Sequence, residues 1–218
     1  MPFFAFEGLS CSGKTTLISK LAKLLENKDV CVTSGLYDDR YSNGKSIKRV
    51  LDSGELDINS PVLTDMILTN KTLLFEKVIA PALKKKKIVL CDRWISSTFV
   101  YQQPDKKSYV FEEKIKSFMR NLEIRFKINP TPDLTFYLNM TKEVMGERLA
   151  TRSIAYSHKD WLNWDNYEIF SNRYTLYNAF NTKFKTLTTN SSMADLVNEA
   201  IEGMNPIINA SRLSGRCI

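Results

Sequence analysis

An α/β fold built on a five-stranded parallel sheet follows from three features of this sequence. Short apolar runs alternate with longer stretches of helical periodicity along the chain. The runs are apolar at successive positions, as strands covered on both faces are. A glycine-bearing loop joins the first run to the first helical stretch, the order of a βα unit with a parallel neighbour. The 218 residues suit a single domain of this kind, and no internal repeat, low-complexity stretch or interdomain linker divides them.

The expected strands are Phe3–Glu7, Val30–Thr33, Ile88–Cys91, Leu134–Asn139 and Lys183–Thr188. Helical stretches are expected near 14–27, 43–54, 61–86, 108–127, 141–152, 165–181 and 192–204. In the first, Leu17, Ile18, Leu21, Leu24 and Leu25 recur at helical spacing, with Lys20, Lys23 and Glu26 between them. Right-handed crossovers would gather the first loop and the later strand ends on one rim, where functional residues belong. Ser153–Trp164 is polar and aromatic without periodicity and reads as a flap. The division expected is one domain over 1–205, with a lid at about 150–165, followed by a C-terminal tail over 206–218.

Gly8-Leu9-Ser10-Cys11-Ser12-Gly13-Lys14-Thr15 satisfies G-x-x-x-x-G-K-[ST] at every defined position. The glycines let the backbone turn so that successive N–H groups face a polyphosphate. Lys14 brings charge to the β/γ oxygens, and the Thr15 hydroxyl can hold Mg2+. A helix beginning here turns its free N–H groups and positive dipole end toward the anion. Strand, loop and helix come in the required order, so the chain is expected to bind a nucleoside triphosphate through residues 8–15 and Thr16.

Leu90-Cys91-Asp92-Arg93-Trp94 is the second signal. An Asp at the end of a buried strand can order Mg2+ or orient an acceptor, and the adjacent Arg can clamp a phosphate bidentately. The plain alternative is a solvated pair at a strand end. Arg40, in Tyr37-Asp38-Asp39-Arg40-Tyr41, is placed to hold an acceptor phosphate or to be a surface charge. Arg148 and Arg152 stand four apart on one helix face leading into the flap. They can reach a transferring phosphoryl group, or pair with Glu143 and Glu147. Arg173 is a weaker candidate. His158, the only histidine, has no partner at a useful spacing and is not expected to be a base, while Trp161, Trp164 and Tyr167 are expected to pack the flap's hinge.

A net charge of +7 suits nucleic acid, anionic surfaces or phosphorylated small molecules. Lys84-Lys85-Lys86-Lys87 reads as a solvated helix end opposing the dipole, because no aromatic stacking platform accompanies it. Nucleic acid is therefore not the expected partner. Cys11, Cys31, Cys91 and Cys217 lack metal-ligand spacing; Cys31 and Cys91 are expected in buried strands. Neither a secretory signal nor a membrane-spanning apolar run is legible, so a reduced, cytoplasmic protein is expected.

These residues together resemble the thymidylate kinase family over most of residues 3 to 205. Phe6-Glu7-Gly8-Leu9 with Ser12-Gly13-Lys14-Thr15-Thr16 is similar to that family's F-E-G-[LIV]-D-G-x-G-K-T-T opening. Val78-Ile79-Ala80-Pro81-Ala82-Leu83 before Asp92-Arg93-Trp94 resembles V-I-x-P-A-L … D-R-[YH], and Ser97-Thr98-Phe99-Val100-Tyr101-Gln102 resembles S-S-x-A-Y-Q. Pro132-Asp133-Leu134-Thr135-Phe136-Tyr137-Leu138 and Glu147-Arg148-Leu149 resemble P-D-L-T-[LF]-Y-L and E-R-[LI].

The resemblance implies a three-layer P-loop kinase fold with a short lid. It also implies Mg2+-dependent transfer of the ATP γ-phosphoryl group to a deoxynucleoside monophosphate, foremost dTMP to dTDP. It assigns Lys14 and Thr15 to the donor, Asp92 and Arg93 to the catalytic centre, and Asn190, with Thr189 and Ser191, to the adenine side. Arg40 resembles the arginine of an F-P-x-R loop. Members without an arginine in the phosphate loop use flap arginines, here Arg148 or Arg152. A homodimer through the 61–86 and 108–127 helices is a further implication.

Three departures bear on the substrate. Ser10 stands where the loop acid is expected, Ile67 and Lys71 stand where a base-stacking Phe and a base-reading Arg are expected, and Tyr37-Asp38-Asp39-Arg40 replaces R-E-P-G-G. Asn70, Lys71, Ser97, Thr98 and Tyr101 are the candidate base contacts. Three alternatives remain beside a different or broader base preference. A deoxynucleoside kinase would use Glu7 or Asp92 as base. A P-loop ATPase or switch is disfavoured because Asn70-Lys71-Thr72-Leu73 lacks the Asp of N-K-x-D. A nonenzymatic homologue is suggested only by Ser10.

Overall fold

Alternation along the first strand sets the layers of the molecule. In the computed structural model, which describes residues 1–36, 38, 42–104, 109–151, 163–179 and 183–214, β1 (Phe3–Glu7) is buried throughout. Phe3 and Ala5 enter the apolar cluster on one face, and Phe4 and Phe6 enter the cluster on the other. That is the period-2 consequence of a pleated strand covered on both sides.

Five strands form one parallel sheet: β1, β2 (Val30–Ser34), β3 (Ile88–Asp92), β4 (Leu134–Asn139) and β5 (Phe184–Thr188), in the order β2-β3-β1-β4-β5. Phe6 lies opposite Asp92 on one side and Phe136 on the other, so the loops after β1 and β3 leave the sheet side by side. This is the expected architecture. Strand bounds differ from expectation by a residue or so: Ser34 and Asp92 complete β2 and β3, and Lys183 lies outside β5.

One face is covered by α3 (Pro61–Leu74), α4 (Ala80–Lys84), α5 (Ile95–Gln102) and α6 (Tyr109–Phe126), contributing Leu68, Ala82, Ile95 and Ile115 among others. The other face is covered by α1 (Lys14–Leu24) and α9 (Met193–Ser214), through Leu17, Leu21, Leu196, Ala200 and Met204. Burying each of the larger side chains contributes about 1.5–3 kcal/mol. Of the remaining helices, α7 (Lys142–Ala150) and α8 (Tyr167–Ala179) pack with Leu9 and Tyr137, and α2 (Ser42–Ser53) packs on Leu63 and Ile67 of α3. In α7 the Thr141 hydroxyl caps the helix by accepting the Val144 N–H.

Three elements depart from the expected pattern. The 61–86 stretch is not one α-helix. Phe75–Ile79 forms a π-helical turn in which the Ala80 N–H reaches the Phe75 carbonyl. Pro81 explains the widening, since it cannot donate to the Lys77 carbonyl and its ring needs the space. Helix α5 was not expected at all. Ile95, Ser96, Ser97, Thr98, Val100, Tyr101 and Gln102 are all buried, so its sequence carries no two-sided periodicity to read.

The last helix does not stop near Pro206, as expected, but runs on to Ser214. Met204 and Ile208 are fully buried against the sheet, and that burial offsets the hydrogen bond Pro206 cannot donate. Its start is a reciprocal cap: the Asp195 N–H donates to Ser192 Oγ (3.2 Å), and the Ser192 N–H donates to Asp195 Oδ2 (3.2 Å).

Candidate active site

The loop after β1 needs its glycines. Gly8 has φ 142° and Gly13 φ 92°, and a Cβ on Gly8 would stand 2.7 Å from the Leu138 carbonyl oxygen. Cys11 also adopts a positive φ, 62°. Gly13 precedes the first residue of α1, so Lys14, Thr15 and Thr16 open the helix where its N–H groups lack internal partners. Lys14 is buried and lies across the loop, donating to the carbonyls of Gly8 (3.0 Å) and Leu9 (2.7 Å) and to Ser12 Oγ (2.9 Å). Thr15 and Thr16 are exposed.

Thr15 Oγ1 donates to Asp92 Oδ2 at 2.7 Å, joining the loop to the end of β3. The next residue, Arg93, has φ 69°, a left-handed backbone that turns the chain from β3 into α5. Its buried guanidinium donates to Ser97 Oγ (3.1 Å) and Tyr174 Oη (3.5 Å), and lies 5.4 Å from the Tyr101 ring centre. Glu7, at the end of β1, is the shared acceptor beneath this cluster. It takes the Trp94 N–H (2.7 Å), the Ser97 hydroxyl and the Tyr174 hydroxyl (3.4 Å). A fully buried carboxylate is tolerable there because donors and nearby cations surround it.

Beside Arg93 a pocket opens between α3 and α5. Leu36, Leu51, Ile58 and Ile67 form its apolar wall; Lys71, Arg93, Ser97, Thr98, Tyr101 and Asn163 supply its polar side. Thr98 is 1% exposed, and its hydroxyl has no hydrogen-bond partner among the described residues. Lys71 Nζ donates to the Gly35 carbonyl at 3.3 Å and lies 5.1 Å from the Trp94 ring centre. Burial, opposed by Cys91 and Glu7 and reinforced by Arg93, lowers this ammonium from its ordinary 10.5 to about 8.

Of the expected substrate contacts, Ile67, Lys71, Arg93, Ser97, Thr98 and Tyr101 line this cavity. Asn70 instead donates to the Leu36 carbonyl at 3.3 Å. Arg148 donates to the Cys11 carbonyl (3.1 Å) and the Thr189 carbonyl (2.8 Å), bridging the phosphate loop and the turn after β5, where Asn190 is exposed. Arg173 donates to the carbonyls of Val100 (2.9 Å) and Pro104 (3.3 Å), which makes it a tie between α8 and the end of α5. Arg40, Arg152, His158 and Trp161 lie outside the described residues, as does 152–162 of the expected lid. Trp164 packs against Gly146, and Tyr167 donates to the Met140 carbonyl (2.7 Å).

Cys91 is buried and Cys31 half-buried; both are free thiols. Two residues of the site carry little sequence signal: Tyr174, one aromatic among several on α8, and Asn163, a lone amide in an aperiodic stretch. Glu7 was legible as the acid of the F-E-G opening and as a candidate base, but not as the acceptor shared by Trp94, Ser97 and Tyr174.

A phosphate loop on the sheet rim, next to a guanidinium-bearing cavity on the adjoining strand, defines the class of P-loop nucleotide kinases. The family model described as thymidylate kinase matches residues 6–201. A thymidylate kinase from Mycoplasmopsis agalactiae (strain NCTC 10123 / CIP 59.7 / PG2) is 32% identical over 174 residues, covering 72% of this chain and 77% of the relative. One from Leptospira borgpetersenii serovar Hardjo-bovis (strain L550) is 33% identical over 150 residues, covering 69% of each. The chain belongs to the thymidylate kinase family. Its fold is similar to the crystal structure of thymidylate kinase from Ehrlichia chaffeensis, with TM-score 0.68 and 22% identity over 92% of this chain and 97% of that one.

Proposed function

We propose that this chain transfers the γ-phosphoryl group of ATP to dTMP, giving dTDP, with Mg2+. The observation that carries the reading is the side-by-side placement of two anion sites. The Lys14 loop follows β1, and Arg93 follows its neighbour β3 at the mouth of a pocket holding the Thr98 hydroxyl, unpartnered among the described residues.

Transfer of this kind asks for little proton chemistry, because a monophosphate oxygen is already nucleophilic at neutral pH. Positioning and charge neutralisation then do most of the catalysis. Lys14 exchanges its loop-carbonyl bonds for the phosphates of ATP, and the loop N–H groups hold those phosphates. Arg93 holds the acceptor phosphate, while Ser97 and Glu7 hold the Arg93 guanidinium in place. Arg148 keeps the loop against the adenine-side turn. The Thr15 hydroxyl and Asp92 carboxylate suit Mg2+, which takes few protein ligands and completes its shell with water and phosphate oxygens. Bound there, the ion would neutralise charge building on the β/γ oxygens. The lid at about 150–165 would exclude competing water.

One observation favours a second reading, a broader base preference. Ile67 offers no aromatic face to the base, and Lys71 directs its ammonium to Gly35 and Trp94. The test is an ATP/Mg2+ coupled assay across all deoxynucleoside and ribonucleoside monophosphates, with thymidine as a control acceptor. Transfer confined to dTMP supports the first reading, and comparable transfer to other monophosphates supports the second. Transfer to thymidine alone overturns both.

We also propose a single kinase domain, one that includes α9 to Ser214, working as a homodimer in a reducing cytoplasm. Exposed Val62 on α3 and Val110 and Ile124 on α6 support the dimer, and the unbridged thiols of Cys31 and Cys91 support the compartment. Sedimentation of the purified protein checks the first of these.

A further inference from the structure

Asn163 has no part in the mechanism just given, yet it is fully buried at the point where the two proposed ligand sites meet. Its side-chain oxygen accepts two hydrogen bonds from different elements: the Ser10 N–H of the phosphate loop at 3.3 Å, and the Tyr101 hydroxyl of α5 at 2.7 Å. The residue also lines the cavity beside Arg93.

We infer that Asn163 is a positioning residue that couples the phosphate loop to the acceptor cavity. Ser10 belongs to the loop whose N–H groups would hold the phosphates of ATP, and its own N–H is turned aside to Asn163. The neighbouring Cys11 carbonyl is held from another direction by Arg148. Two adjacent loop residues are thus tied to different parts of the molecule, which restricts how the loop can relax.

On the other side, Tyr101 carries the tie onward, because its ring lies against the Arg93 guanidinium. The path Ser10–Asn163–Tyr101–Arg93 therefore links the triphosphate loop with the acceptor's phosphate clamp. A ligand that settles Arg93 and Tyr101 also settles the loop, and by reciprocity ATP favours the acceptor-ready cavity. Removing the Asn163 side chain takes the acceptor from a part-buried N–H and a buried O–H at once, loosening both sites together. The identity of the second ligand rests on the proposed monophosphate kinase activity; the coupling itself does not.

The test is a double-mutant cycle read on binding of the nonhydrolysable ATP analogue AMP-PNP with Mg2+. Calorimetry would be run on wild type, Asn163→Ala, Tyr101→Phe and the double variant, with thermal melts alongside. Asn163→Ala is expected to weaken the analogue about 10-fold, within the usual range for coupled sites. Tyr101→Phe, which removes one hydroxyl on the acceptor side, is expected to weaken it about 3- to 10-fold. In the Asn163→Ala background the same change should have less than a 2-fold effect. The KM for the monophosphate should rise at least 5-fold in each single variant.

Additive losses would make Asn163 a packing residue and overturn the inference. So would unchanged AMP-PNP binding by Tyr101→Phe, and that arm decides the matter alone if Asn163→Ala does not fold. A wild-type protein that binds AMP-PNP but phosphorylates no monophosphate removes the proposed function, while the binding cycle still decides the role of Asn163.

Discussion

The Lys71 side chain is 2% exposed, and its ammonium titrates at about 8 instead of 10.5, chiefly because burial strips it of water. At about 1.4 kcal/mol per pH unit, holding the charge inside costs the folded state about 3 kcal/mol at neutral pH. Methionine is close to lysine in length and carries no charge. Lys71→Met gives up the bond to the Gly35 carbonyl and the approach to Trp94, together worth about 1–2 kcal/mol. The variant is therefore expected to be more stable than wild type at pH 7 by about 1–2 kcal/mol. In a protein of this size that raises Tm by roughly 2 to 8 °C.

The sign of the pH dependence follows from linkage. Below about pH 8 the lysine is protonated in both states, so the penalty is complete and the variant's advantage constant. Between about 8 and 10.5 the unfolded chain holds the extra proton, wild type gains stability as pH rises, and the advantage shrinks. Burial raises the Cys91 thiol's pKa, which acts oppositely at high pH. It does so in both proteins and cancels in their difference. Denaturant melts of the pair from pH 6 to 10.5 measure that difference. A variant less stable at pH 7, or a difference flat across pH 8–10.5, would refute the reasoning. Because Lys71 lines the acceptor cavity, kcat/KM for the monophosphate should fall about 10-fold while stability rises.

Lys14→Ala should lower kcat by about 10²–10³, the usual loss for one preorganised charge-stabilising donor. Circular dichroism should be unchanged, and near-normal transfer in a steady-state assay would remove Lys14 from the proposed centre. Arg148→Lys cannot span the Cys11 and Thr189 carbonyls with one ammonium. It should raise the KM for ATP by about 10-fold, with a smaller effect on the KM for the acceptor. Gly35→Ala would set a Cβ 1.6 Å from the Arg93 carbonyl oxygen. It should cost at least about 1–3 kcal/mol of stability and displace Arg93, measured as a lowered Tm together with loss of transfer.

β1, β3 and β4 were legible because a strand buried on both faces must be apolar at successive positions, and the partly exposed edge strands β2 and β5 through their alternation with helices. The phosphate loop was legible because a backbone cradle for phosphate needs glycine, lysine and a hydroxyl at set offsets, all within eight consecutive residues. Asp92 and Arg93 could be found because they close a recognisable strand. Helix α5 escaped notice, since a helix buried on nearly all sides has no polar face to reveal its period. Pro206 read as a stop, yet Ile208 beyond it finds a buried place against the sheet.

Local chemistry thus determined from the sequence alone where a triphosphate would be held and what kind of sheet would hold it, because both depend on residues close together in the chain. Only the tertiary structure decided which distant groups share one cavity. Lys71 beneath Gly35, Glu7 under Ser97 and Tyr174, and Asn163 between Ser10 and Tyr101 are separated by up to 167 positions. Their meeting is set by how helices pack over strand ends, and no spacing in the chain encodes it.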